Sequence, residues 1–532
     1  MKVRIRIAII VGVLLSIAAL APTVPFTERG GLAQLLSENS ASVAQPIARI
    51  EAPQVPNRQG LDGLTLQEVM AKLHTPGVSI AVIKDFKVQW AKGYGVADLK
   101  TERPVEVDTL FQAASISKPV SATGSLWLVQ HGKLSLDENV NLKLKSWQVP
   151  DNEFTKDQNV TLRRLVSHSA GLTVHGFPGY EVGAPIPTVV QILNGQPPAN
   201  TAPVRVDTVP GTKFNYSGGG ITIEQLLLMD VPGKPFPQFM RETVLDNIGM
   251  TDSTYEQPLP AARAAMAATA THADGTPVPG KWHIYPEQAA AGLWTTPTDL
   301  AKFAIEIALS KQGKANHVLS EAMTREMLTQ QIATGAGEEG DNMGLGLFLG
   351  NYKNPQEFGH DGSNEGFRSL LVMFADSGKG VAIMVNSDNG VPVENAVLQS
   401  VAKEYGWNYT PEPPDAADLL TLVAAVKGPQ AAMTKYSELK KSGASPYVLD
   451  ENTLIQLGYS LLFGGRNDEA IQVFQLEVHD YPKFWNAYDS LGEASLKAGQ
   501  KELAIENYQK SIELNPKNQN GIDMLKKLKE QR

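Results

Sequence analysis

The sequence predicts a mixed α/β (α+β) domain, an antiparallel sheet flanked by helices and joined to a helical subdomain, followed by an all-α tail. Three observations carry that expectation. Hairpin patterns stand at both ends of one long block, a proline-rich break closes the block, and the chain beyond it is helical and self-similar at a period of 34 residues. With 532 residues and 42% hydrophobic content, the chain has material for several domains and at least one large core. Lys+Arg 47 against Asp+Glu 56 gives a formal net charge of −9 with no basic block, which argues against nucleic acid as a partner. The absence of cysteine rules out disulfides, thiol nucleophiles, zinc–thiolate sites and iron–sulfur clusters. No H-E-x-x-H occurs, and no metal or other cofactor is called for.

Lys2, Arg4 and Arg6 precede the apolar run from Ile7 to Ala21, a basic and then hydrophobic segment of the length of a secretory signal. Ala19-Leu20-Ala21 fits a small-x-small cleavage site, although Pro22 is an awkward residue just after it. Residues 1–21 are therefore expected to be a signal peptide or an uncleaved anchor, the run being short for a span of about 20 residues. Either reading places the body of the protein outside the cytoplasm, periplasmic or extracellular, with the membrane touched only through this segment if it is kept. Residues 22–60, rich in Pro, Ser, Gln and Ala, read as a linker or lead-in.

The block over 61–405 opens with a helix at Leu66–Leu73 and a strand at Val78–Ile83. Asp85-Phe86 turns the chain back into Val88–Tyr94. It closes alike: Phe367–Phe374 and Val381–Val385 flank Asp376–Gly380, and an amphipathic helix runs from Val393 to Tyr405. Strands from both chain ends would share one sheet, with a helical insertion between them. Residues 406–416, with Pro411, Pro413 and Pro414, read as a linker.

Over 417–532, Leu457-Gly458 recurs as Leu491-Gly492, Gly465 as Gly499, Ala470-Ile471 as Ala504-Ile505, Phe474 as Tyr508 and Pro482 as Pro516. Small residues at fixed positions let paired helices approach, and proline ends each unit. The pattern resembles tetratricopeptide repeats. Ala432 and Tyr436 look like an earlier, degenerate copy, and Ile522, Leu525 and Leu528 would face a closing helix. Such repeats are a candidate surface for a protein partner; docking on the preceding domain is the plainer alternative.

For chemistry, no G-x-S-x-G occurs, but Ser-x-x-Lys occurs three times, at Ser115–Lys118, Ser400–Lys403 and Ser437–Lys440. The last two lie in amphipathic helices, where solvent exposure explains them. Ser115 instead precedes an apolar, helix-compatible stretch, Val120–Val129. At the first turn of a buried helix its hydroxyl would lie near free N–H groups, with Lys118 on the same face. The plain reading is an N-cap serine beside a surface lysine. His360-Asp361-Gly362 is the one H-x-G, a match chance would supply in a chain with this much His and Gly. Tyr216-Ser217-Gly218 stands in a glycine-rich loop ahead of a helix. The phrases Leu165–Leu172 and Ala291–Leu300 have no evident packing logic.

Taken in order, Ser-x-x-Lys, Tyr-Ser-x and His-x-Gly resemble the penicillin-recognising serine hydrolases related to class C β-lactamases, which include D-Ala-D-Ala carboxypeptidases, D-amino-acid peptidases and esterases. The resemblance covers about residues 61–405 and implies a β-lactamase/transpeptidase-like fold. It implies Ser115 as acylated nucleophile, Lys118 as the desolvated lysine sharing its proton, and Tyr216 as the relay to the leaving group. It also implies an oxyanion hole from the N–H groups of Ser115 and Ser363, on the His360–Gly362 strand, with Arg368 as a nearby cation for substrate. Two departures point away from an efficient β-lactamase. Gly218 stands where many relatives carry an asparagine that touches the acyl amide, which weakens the case for amide as well as β-lactam substrates. His360 stands where class C β-lactamases carry lysine, although some carboxypeptidases and esterases use histidine. His168 is expected to be a buried helix-end histidine bonded to backbone, and Trp294 a core or cleft-wall residue. The expected activity is hydrolysis of a small-molecule or peptide substrate, an amide or ester of D-alanyl carboxypeptidase, D-aminopeptidase or esterase type. A β-lactamase, and a non-catalytic ligand sensor or scaffold working through its repeats, are the alternatives.

Overall fold

A computed structural model describes residues 43–53, 63–335, 342–350, 357–407, 416–442, 447, 449–463 and 465–530. The expected signal at 1–21 lies outside them, as does most of the lead-in. Among the described residues no helix is long and apolar enough to cross a membrane. Two compact units divide the chain at Ala48 and Arg49; the described part of the first, 43–48, is helical. The second holds the hydrolase-like block and the helical tail.

At the centre of this second unit is a nine-stranded antiparallel sheet drawn from both ends of the hydrolase-like block. Five strands matter for the site: β1 (Gly77–Lys84), β2 (Lys87–Asp98), β3 (Glu357–Asn364), β4 (Phe367–Phe374) and β5 (Lys379–Val385). Their order is β2-β1-β5-β4-β3, with Arg103–Pro104 outside β2 and Phe348–Leu349, Asn342–Met343 and Ile332–Ala333 beyond β3. The last strand in sequence thus sits between the first and the penultimate, Val78 pairing with Val385 and Leu371 with Ala382. Asp85 and Phe86 turn the first hairpin with φ of 53° and 58°, the pair of positive values that a two-residue turn between twisted strands requires.

Side chains alternate across this sheet. Ala81, Ile83, Leu371, Met373, Ala382 and Met384 enter the large core beneath it, with Phe303 and Ala304 of the helix Pro297–Lys311. The other face carries the helix Gly390–Glu404, which packs on β4 and β5, and the helix Leu66–Lys72, which packs on it in turn. Thr65 caps the latter in a capping box with Glu68. Ser400 departs from expectation. It is buried and bonds back to Ala396 O at 2.8 Å, because its helix turns that side toward the sheet; Ser437 is half-buried and bonds back to Met433 O. At the edges of the expected linker, Trp407 is buried against Phe374 with ring centroids 5.5 Å apart, and Ala416 begins a helix; residues 408–415 lie outside the described ones.

Among the described residues the tail is three helix pairs and a closing helix: Ala416–Lys427 with Pro429–Ser442, Thr453–Phe463 with Asn467–Asp480, Trp485–Lys497 with Lys501–Leu514, then Gln519–Glu530. The repeated small residues have a visible cause. A Cβ on Gly458 would lie 2.2 Å from the Phe474 ring, and one on Gly492 would lie 3.1 Å from Tyr508. Ala432 and Tyr436, Ala470 and Phe474, and Ala504 and Tyr508 are all buried. Leu528, with Met524 and Leu525 beside it, covers the last pair.

Candidate active site

The site begins in a strained turn. Ala113 donates its N–H to Leu293 O at 2.8 Å, and Ala114, the next residue, has φ of 47°, a left-handed conformation for a residue with a side chain. Ser115 lies within the short 3₁₀ turn Ala114–Ile116, just before the helix α1 (Ser117–Gln130) rather than in its first turn. Ser117 staples the turn: its hydroxyl donates to Ala114 O at 2.5 Å and accepts Leu293 N–H at 3.0 Å. Ser115 keeps partial exposure while its neighbours are buried.

Lys118, on the same side of α1, donates from Nζ to Ser115 Oγ at 2.8 Å and to Ala290 O at 2.8 Å. Its ammonium is buried, and that burial lowers its pKa to about 7, against the partial opposition of Asp361 and Glu224. Tyr216 is placed by its neighbour Ser217, which caps the helix α2 (Gly218–Asp230) through Gly220 N–H at 2.9 Å and donates to Thr173 O at 2.8 Å. The Tyr216 ring centroid is 5.0 Å from Lys118 Nζ. Burial pushes its phenol up, and a hydrogen bond with Ser115 opposes that in part. Ser115, Lys118 and Tyr216 therefore meet.

Strand β3 forms the far wall. Asn364 and Phe367 close the β3–β4 hairpin around Glu365-Gly366, so they face each other through hydrogen bonds and Ser363 N–H points away from β4. On that outer edge Phe348–Leu349 pairs only with Gly359 and Phe358, which leaves 360–364 open toward the Ser115 turn among the described residues. Gly362 allows the approach: a Cβ there would lie 2.3 Å from Ala113 O. Ser369, its partner in register, donates to the same oxygen at 2.8 Å.

The alternation that turns Gly362 inward turns Ser363 and Arg368 outward. Arg368 does not join the site. Its Nη1 donates to Asn364 O and Phe367 O at 2.7 Å, and its Nη2 lies 3.1 Å from Asp388 Oδ1. Nearness to the H-x-G in sequence carries no information about which face it takes. Ser363 contributes its N–H at the open edge, with its side chain on the other face.

His360 shares the inward face, its ring 6.4 Å from Tyr216 and 5.0 Å from Phe348. Nδ1 lies 2.5 Å from Asp361 O, and a carbonyl only accepts, so Nδ1 carries the proton. Nε2 is then a buried acceptor with no protein partner among the described residues. Burial lowers the imidazole to about 4, so it is neutral at pH 7.

Two residues complete the surroundings. His168 is buried and bonded to backbone as expected, accepting Ser217 N–H at Nδ1 over 3.2 Å, but its ring also lies 4.2 Å from that of Tyr216. No spacing in the sequence links 168 to 216. Glu224 lies fully buried in α2 and bonds two serines of α1. A lone carboxylate in the apolar run Ile221–Met229 is its only signal in the sequence. Trp294 is core. At Gly218, the space of a side chain is bounded by the Phe177 ring, 2.8 Å from where a Cβ would stand. Away from Ser115, His272, Glu365 and Asp388 bring one ligand atom each within 4.8 Å of one another. Arg368 already ion-pairs with Asp388, and we read the cluster as an ion-pair network.

A family model described as Beta-lactamase matches residues 64–404. The chain belongs to the beta-lactamase family. Its members are serine hydrolases, and so is this beta-lactamase-family chain; a tetratricopeptide repeat model matches its residues 485–518. Among its relatives, a beta-lactamase of Pseudomonas fluorescens is 25% identical over 62% of this chain and 94% of its own length. Penicillin-binding protein 4 of Amycolatopsis lactamdurans is 27% identical over 59% and 81%. In fold it is similar to the D-alanine carboxypeptidase AmpC of Burkholderia cenocepacia, with a TM-score of 0.51 at 21% identity over 67% of this chain and 99% of that one.

Proposed function

We propose that this beta-lactamase-family enzyme is exported and hydrolyses a small peptide, amide or ester through an acyl-enzyme on Ser115. The observation that carries the reading is the buried Lys118 Nζ, 2.8 Å from Ser115 Oγ. A lysine with its pKa near 7 is partly neutral at physiological pH and can take the serine proton as Oγ attacks the acyl carbon. The oxyanion that forms would be met by the N–H groups of Ser115 and Ser363, each such donor contributing roughly 3–4 kcal/mol in comparable sites. Tyr216 would relay the serine proton from Lys118 to the departing alkoxide or amine as the acyl–leaving-group bond breaks. Water then adds to the ester of Ser115, and the same groups return the proton to Oγ as the acid leaves.

Two features weigh against a β-lactam and equally against an acyl amide, and so favour an ester. His360 is neutral and offers a lone pair, so it supplies no fixed positive charge for a substrate carboxylate. Gly218 offers no side-chain amide for an acyl amide, and the Phe177 ring stands there instead. The relatives' names (a beta-lactamase, a penicillin-binding protein, a D-alanine carboxypeptidase) support D-alanyl peptides and simple esters as the acyl donors to try first. Export is supported by the basic and then apolar segment at 1–21. The repeats at 417–532 would serve a protein partner.

The test is intact mass over time with benzylpenicillin, and release of nitrophenol from p-nitrophenyl acetate, for the wild type and Ser115→Ala. An adduct or a burst that the variant lacks is expected. Neither adduct nor turnover in the wild type, or equal turnover in the variant, would remove the reading.

A further inference from the structure

Glu224 has no part in the reaction as proposed, and its placement asks for one. It stands in mid-helix in α2 with no exposed surface. Its Oε1 accepts Ser125 Oγ at 2.6 Å, and its Oε2 lies 3.1 Å from Ser121 Oγ, which is also 3.0 Å from Lys118 O. Lys118, Ser121 and Ser125 are spaced i, i+3 and i+7 on α1, so they share one face of that helix. The carboxyl is therefore strapped along the same face that presents Lys118 to the nucleophile. Inside the domain, where little water screens them, two such groups act strongly on each other.

We propose that Glu224 sets the protonation of Lys118, its negative charge holding the lysine in the ammonium form until Glu224 itself is neutralised or Lys118 gives up its proton at higher pH. The inference rests on the Ser115 acyl-enzyme reading and makes Glu224 a positioning residue for a proton, acting through Lys118.

Of the groups around the pair, Asp361 acts on Lys118 in the same direction as Glu224, ahead of it, but from an exposed position. Lys118 faces Ser115 and Ala290 O by hydrogen bonds, the Tyr216 ring, and the imidazoles of His168 and His360, whose pKa values burial lowers. Being largely exposed, the Asp361 side chain of β3 is screened by solvent. Glu224 faces Lys118, Ser121, Ser125 and Tyr255, whose hydroxyl donates to Ser117 O. Burial pushes the Glu224 carboxyl up and the Lys118 ammonium down, so near neutrality the two compete for one proton.

Neutral lysine is the competent base, so acylation rises with pH as Lys118 loses its proton, and an ionised Glu224 shifts that rise to higher pH. Glu224→Gln removes the charge and keeps an oxygen for the serine hydroxyls. The acid limb of acylation by p-nitrophenyl acetate is expected to move down by about one pH unit. Ser125→Ala removes a donor that favours ionised Glu224, so the limb should move the same way by a smaller step. A soluble Glu224→Gln whose limb stays at the wild-type pH overturns the inference, even if its rate or melting temperature falls. If that variant does not fold, an unmoved limb in Ser125→Ala overturns it. Ser115→Ala separates the two levels. An inert Ser115→Ala with an unmoved limb sinks only the role of Glu224, whereas an active Ser115→Ala sinks the acyl-enzyme reading and this inference together.

Discussion

At Gly362 one added methyl group would press on backbone rather than on a side chain that can swing away. Its Cβ would stand 2.3 Å from Ala113 O, in the turn that presents Ser115. Gly362→Ala must push β3 off that turn, a strain of about 1–3 kcal/mol for overpacking of this kind. Because the proposed oxyanion donors, Ser115 and Ser363, sit on the two segments being separated, acylation by p-nitrophenyl acetate should fall by about a hundredfold. A melting curve beside the rate checks it: a rate unchanged from wild type would mean that the β3 edge takes no part. At this scale the features readable in the sequence are local ones. Ser115 and Lys118 are three residues apart, and the 3₁₀ turn that runs into α1 brings them to one side. His168 and Glu224 reach the site through tertiary packing, which no local spacing encodes. Arg368 misleads for a different physical reason: along a strand, neighbours in sequence point to opposite faces, and being eight residues from His360 decides nothing.

Helices of the tail approach one another only as closely as their smallest residues permit. Gly458 and Gly492 occupy equivalent places, yet a Cβ would meet the Phe474 ring at 2.2 Å in the first and Tyr508 at 3.1 Å in the second. Alanine in a helix is otherwise favoured over glycine by about 1 kcal/mol. Gly458→Ala is therefore expected to lower stability by about 1–3 kcal/mol, and Gly492→Ala to leave it nearly unchanged as propensity offsets a milder contact. Urea unfolding of each variant, monitored by helical circular dichroism, distinguishes them; equal losses would contradict the packing account. The helix pairs are legible in the sequence because a 34-residue period repeats the same small and aromatic residues. The terminal hairpins are legible because turn residues interrupt clear strand patterns. Strand lengths are not: β2 runs on to Asp98, past Gly93 and Gly95, which lack the branched side chains that mark a strand. The burial of Ser400 escapes as well, because an amphipathic pattern does not say how far a helix is rolled toward its sheet.

For the molecule as a whole, the sheet depends on the end of the hydrolase domain far more than on the tail. Ending the chain after Trp407 keeps all nine strands and the helices on both faces. That truncation should stay soluble and hydrolyse p-nitrophenyl acetate within about threefold of the full chain, as a domain with its own core would. Ending it after Gly378 removes β5, and both β1 and β4 then lose their shared partner. This shorter chain should be unfolded by size-exclusion chromatography and inactive. A folded, active product would show that the sheet tolerates loss of its central strand.

The same central strand ties folding to the timetable of synthesis. While a ribosome is still making the helical insertion, β1 and β2 can form only a hairpin with its inner edge unsatisfied. The sheet closes after residues 379–385 have emerged. At typical elongation rates that wait is on the order of tens of seconds. Throughout it the nascent chain has no finished sheet on which to set Ser115, so an incomplete copy is also an unreactive one.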